Sequence, residues 1–137
     1  MNLSILRTLT LSLIAAIAPV SLMGQGSIRV TVPFDFTLGS KSFTAGEYRV
    51  EHPAPMVLAI RSVNGSTVRL FQAHSGWNSA KPGTNQLTFN RYGDRYFLSQ
   101  VSQEQRGWEL PKSPIEKEII AKKASPEPIR LAAVARK

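Results

Sequence analysis

The sequence predicts an all-β fold: a small antiparallel β-sandwich or barrel of about six to eight strands with one C-terminal α-helix, preceded by a signal peptide. Three observations carry that expectation. Apolar and polar residues alternate with a period of two through several short runs. Turn-forming residues recur roughly every ten positions, as in sandwiches and barrels rather than in βαβ units. One late segment changes to helical spacing.

Residues 1–26 read as the export signal. Arg7 ends a short basic start, TLTLSLIAAIAPVSLM supplies an apolar stretch, and Gly24 and Gly26 stand in a small-x-small arrangement. Cleavage is expected after Gly26, with Gly24 as the rival site. An uncleaved anchor is disfavoured because the run falls short of the ~20 residues of a spanning helix and Pro19 interrupts it. No transmembrane span is expected once the signal is removed. The chain has no cysteine, so lipid attachment at a new N-terminal cysteine, a disulfide and a thiolate metal site are all excluded. The expected destination is the periplasm or the medium.

The body of the domain is expected over residues 27–110, long enough for one hydrophobic core. In SIRVTVPFDFTLG, Ile28, Val30, Val32, Phe34, Phe36 and Leu38 fall on one side and Arg29, Thr31, Asp35 and Thr37 on the other. Side chains alternate across a strand, so this run has one buried and one solvated face. Pro33 has no N–H to donate, which places an edge or a bulge there. Gly39-Ser40 turns the chain into KSFTAGEYRVEH, where Tyr48 and Val50 alternate with Glu47, Arg49 and Glu51 until Pro53 and Pro55 end the run. VLAIRSV and TVRLFQAH flank Asn64-Gly65, a strong hairpin signal because both residues tolerate positive φ. Asn64-Gly65-Ser66 also matches the N-glycosylation triplet.

Residues 75–85, SGWNSAKPGTN, read as a longer loop carrying an isolated Trp77. A second hairpin follows, and Gly107 leads Trp108, Glu109 and Leu110 into a last short strand. In ELPKSPIEKEIIAKKA the period changes. Ser113 is placed as N-cap, Pro114 suits the first helical position and Glu116 occupies the capping-box position. Ile115, Ile119 and Ile120 share a face, and Glu118 and Lys122 stand at i,i+4 on another. The expected segment is 111–124, with the helix over 114–124. SPEP stops it, and residues 125–137 read as a basic flexible tail.

The net charge is +8. Residues 27–110 hold nine Lys and Arg against six Asp and Glu, whereas residues 111–137 hold seven against three, so the excess concentrates towards the C-terminus. Such a tail is expected to make weak contact with an anionic surface. No nucleic-acid partner is expected for an exported chain.

NRYGDRYFLSQ, residues 90–100, places two Arg-Tyr pairs around Gly93-Asp94. As a two-residue loop it sets Tyr92 opposite Arg95 and Arg91 opposite Tyr96, and each pair can stack a guanidinium on a ring for roughly 0.5–1 kcal/mol. Arg91, Tyr92, Arg95, Tyr96 and Trp77 are the candidate binding residues. Local structure alone accounts for the hairpin, and Trp77 is expected either to pack or to grip a sugar or partner.

Reactive constellations are missing. His52 and His74 have no third ligand at a metal-binding spacing, so no metal is expected. Ser75, His74 and Asp94 can be composed into a triad on paper, but neighbouring residues of a strand face opposite ways. Glu47 and Glu51 lie about 13 Å apart on one strand, beyond paired-carboxylate chemistry. No phosphate loop is present, and no catalytic residue or cofactor is expected.

VTVPFDFTLGSKSFTAGEYRV, FNRYGDRYFLSQV and ELPKS together resemble an uncharacterised family of small exported bacterial β-sandwich proteins, common in soil bacteria. The resemblance covers most of residues 30–113 and stops before the tail after Ala124. It implies a small exported β-domain with a helical C-terminal segment and transfers no catalytic or ligand residue. For a bacterial source the glycosylation triplet carries little weight. AGEYRV is also similar to turns of transthyretin-like and immunoglobulin-like sandwiches, a fold-level analogy. The expected function is therefore a non-enzymatic exported domain, an interaction or structural module whose partner is an envelope protein or polymer. The alternatives are a small-ligand or glycan binder using the 75–85 loop and, last, a hydrolase.

Overall fold

The computed structural model describes residues 26–65, 68–78 and 85–136. Apart from Gly26 the expected signal peptide lies outside them, as do Ser66 of the glycosylation triplet and residues 79–84 of the expected loop.

Two sheets pack face to face, with one short helix. The strands are β1 (Ser27–Val32), β2 (Phe36–Leu38), β3 (Lys41–Phe43), β4 (Gly46–Ala54), β5 (Val57–Ser62), β6 (Val68–Gln72), β7 (His74–Asn78), β8 (Gln86–Tyr92), β9 (Arg95–Gln103), β10 (Arg106–Glu109), β11 (Glu127–Ala132) and β12 (Val134–Arg136). Helix α1 spans Pro114–Ala121. The first sheet runs β12-β1-β4-β5-β6 and the second β11-β8-β9-β10-β7, with β2 joined to β9 and β3. Pairing is antiparallel throughout except for a parallel bridge from Thr37 to Phe97. The all-β sandwich expected from the two-residue period is present.

Where about six to eight strands were expected, twelve segments stand among the described residues. Three runs bend and change sheets. The first does so at Pro33–Asp35, between β1 and β2, while keeping Ile28, Val30, Val32, Phe36 and Leu38 on the buried side. Asp35 holds that bend by accepting from Ala45 N–H at 2.8 Å. The second bend is at fully buried Ala73, whose N–H donates to Met56 O at 2.8 Å. The third is at Ala133, whose N–H donates to Asn85 O at 2.9 Å. Strands that turn corners in this way leave less bare edge for another chain to pair with.

The third bend corrects the expected tail. Within the expected basic flexible tail of residues 125–137, residues 127–136 are instead part of the sandwich: β11 pairs with β8 from Glu127–Arg91 to Ala132–Gln86, and β12 pairs with β1. Ile129, Leu131 and Ala133 pack against the core. Burial of these apolar groups offsets the entropy of ordering the segment. The β-domain therefore reaches Arg136 rather than ending at Leu110.

Aromatic rings fill one part of the interior. Phe36 stacks on Phe43 at 5.0 Å and meets Tyr48 and Phe89 edge-on, each at 5.3 Å. Four strands, β2, β3, β4 and β8, are joined through this one side chain.

Helix α1 ends three residues short of the expected Ala124. Lys123 takes a left-handed φ of 62°, and its N–H closes on Ile120 O at 2.9 Å. The expected isoleucine face is not the docking face either. Ile115 and Ile120 are exposed and Glu116 is buried.

Candidate functional site

The Gly93-Asp94 hairpin forms in the register its sequence implies, with Tyr92 opposite Arg95, Arg91 opposite Tyr96 and Asn90 opposite Phe97. Gly93 supplies the positive φ, at 65°. The two Arg-Tyr pairs differ in kind. Arg91 places its guanidinium 5.6 Å from the Tyr96 ring centre, donates from Nε to Gly93 O at 2.7 Å and lies 3.8 Å from Glu127 of β11. Tyr96 in turn stacks on Phe34, with centroids 3.7 Å apart. Arg95 is exposed, and Tyr92 is buried beneath α1 against Phe97 at 5.8 Å instead of stacking on Arg95. Of the four candidates, only Arg95 keeps its side chain at the surface without such contacts.

Tyr92 belongs to a buried polar clasp. Glu116 of α1 accepts from Asn90 Nδ2 at 3.0 Å and from Tyr92 Oη at 3.1 Å. Its own N–H donates to Ser113 Oγ at 3.1 Å, the N-cap contact expected from sequence. Burial, then the charge of Glu116 and its hydrogen bond, push the Tyr92 phenol up to about 12. The clasp fixes α1 against the outer face of the second sheet, where Thr88, Tyr92, Phe97 and Ser102 are buried. An acid and a phenol bonded to each other in this way serve to hold the helix.

The other sequence candidates are spread apart. Trp77 lies on edge strand β7 opposite Gly107, so residues 75–78 are strand rather than loop. His74 stands opposite Glu109, which stands opposite Gln100 of β9. Asp94 lies six residues from Gln100 along the chain, about 20 Å of extended strand, so the structure does not assemble Ser75, His74 and Asp94. Among the described residues no group of three or more His, Asp or Glu side chains is placed to hold a metal.

Two features were missed in the sequence. The first is a cleft of about 620 Å³ at one end of the sandwich, lined by Gly26, His52, Gln103, Glu104, Arg106 and Trp108. His52 packs on Trp108 at 4.5 Å, and its Nδ1 is buried without a hydrogen-bond partner. Gln103 Nε2 donates to Gly26 O at 2.7 Å at the rim. Among the described residues its lining includes no Ser, Thr or Tyr hydroxyl.

The second is a row of arginines on the outer face of the first sheet. Arg29 lies opposite Arg49, and Arg49 lies opposite Arg61. Val134 extends the row beyond Arg29 and Val68 beyond Arg61. Arg29 Nε sits 3.1 Å from Glu47 Oε1, an ion pair whose N–H is not aligned for a hydrogen bond. Arg49 Nε is buried with no acceptor. Glu51 faces Ala59 and has no ion-pair partner among the described residues. Directly opposed like charges destabilise a sheet, so local stability does not explain this row. The signal could be found only after pairing was known, because Arg29, Arg49 and Arg61 come from three different strands.

No family model matches the chain, and no curated protein or solved structure matches it either.

Proposed function

We propose that the protein is an exported, non-enzymatic β-domain that serves as an interaction module of the cell envelope and works through the outer face of its first sheet. The observation that carries this reading is the in-register row Arg29–Arg49–Arg61 on that face. The opposite sheet carries α1 on its outer face, held through Asn90 and Tyr92, and Phe34, Phe36, Phe89 and Tyr96 are taken up by packing against one another. Export is supported by the basic start, apolar stretch and small-x-small pattern of residues 1–26.

The test is retention on isolated envelope. The exported protein is expected to co-sediment with it, and Arg49→Glu with Arg61→Glu to remain in solution. Equal retention of both proteins would remove the arginine face from the reading. A second reading, small-ligand or glycan capture, is favoured by the cleft beside His52 and Trp108 rather than by the 75–85 loop. A glycan array on which wild type binds and Arg106→Ala does not would select it.

A further inference from the structure

We infer that the arginine face of the first sheet docks onto the phosphate headgroups of an anionic lipid bilayer. This rests on the reading above, that the face is the contact surface, and assigns the chemistry it contacts.

Three properties of the face point to phosphate at a membrane surface. First, the guanidinium groups of Arg49 and Arg61 have no acidic partner within ion-pair distance among the described residues, and one donor of Arg49 is buried without an acceptor. A planar guanidinium fork is matched by a phosphate or carboxylate oxyanion, which answers two donors at once. Second, the three arginines stand on adjacent strands of one sheet, so neighbours are about 4.8 Å apart and the row spans about 10 Å. That is too long for one oxyanion and suits an array of them on a flat surface.

Third, the row ends in bare aliphatic side chains. Val134 is 69% exposed at one end, Val68 is 38% exposed at the other, and Leu70, two residues along the same face, is 65% exposed. A soluble acidic polymer leaves these groups in water. The headgroup region of a bilayer takes up aliphatic side chains that flank a basic centre. Glu47 and Glu51, on either side of Arg49 along β4, temper the charge of the face. Binding of this kind is short-ranged and weakens as salt rises.

The test is partition of the exported protein onto vesicles of phosphatidylcholine alone and of phosphatidylcholine with phosphatidylglycerol. Binding is expected only with the anionic lipid. Arg49→Gln and Arg61→Gln are each expected to lower it about fivefold, and Leu70→Ser to lower it further. Lys117→Gln with Lys122→Gln removes two charges from α1 and is expected to leave binding unchanged. Arg49→Thr also relieves the opposed charges, so its melting temperature is expected to rise while its partition falls, a combination that a purely structural arginine would not give. Equal loss in the α1 variant would overturn the proposal by reducing it to net charge, as would equal binding to both vesicle types. Envelope stripped of lipid separates the two levels. If the protein binds stripped envelope or a soluble acidic polysaccharide but not vesicles, the contact face stands and the lipid assignment fails. If it binds none of them, both fail.

Discussion

Tyr92 donates its phenolic hydrogen to Glu116 Oε1 at 3.1 Å, a contact between residues 24 apart in the chain that ties the β8–β9 hairpin to α1. Asn90 donates to the same oxygen at 3.0 Å. Removing the carboxylate leaves two donors at a covered surface. Glu116→Ala is expected to lower unfolding stability by about 2 kcal/mol, read from urea midpoints. In Glu116→Ala with Tyr92→Phe the stranded phenol is gone, and part of the loss should return. A Glu116→Ala variant as stable as wild type would show that α1 is held by something else.

The same contact makes stability depend on alkaline pH. Tyr92 holds its proton up to about 12 because of burial, the Glu116 charge and their hydrogen bond. A phenol in the unfolded chain releases it near 10. With the folded value raised, the stabilising contribution is complete below pH 10 and is lost as pH climbs towards 12. Urea midpoints of wild type and Tyr92→Phe should therefore draw together above about pH 10, whereas a constant separation would contradict the shift.

Gly93 isolates the strain of the hairpin turn. Its φ is 65°, and a Cβ added there would meet no atom within 4 Å. Gly93→Ala should cost about 1 kcal/mol from the left-handed backbone alone, and Gly93→Asn only a few tenths. Equal costs for the two variants would mean that the turn rearranges.

These residues also show what could be read from the sequence. Ile28 to Leu38 declare a buried face because alternation is local, and Gly93-Asp94 declares a tight turn because positive φ favours glycine. Glu116 is only half legible. Its N–H meets Ser113 as a capping position implies, but its carboxylate reaches Asn90 and Tyr92, which no local rule contains. Ile129, Leu131 and Ala133 alternate over too few positions, beside Pro128 and amid basic residues, to outweigh the composition of a tail. The arginine row depends on the register of three strands, which sequence spacing leaves open.

The arginine face exists as described only if the C-terminal segment belongs to the sandwich, because β12 sets Val134 beside Arg29 and β11 covers the edge of β8. Hydrogen exchange of the protein, followed by mass spectrometry over residues 127–136, addresses this directly. Protection comparable to that of the β8 peptide, and lost together with it on unfolding, is the expected result. Exchange at the rate of an unstructured peptide would contradict the closed sandwich and the contact face built upon it.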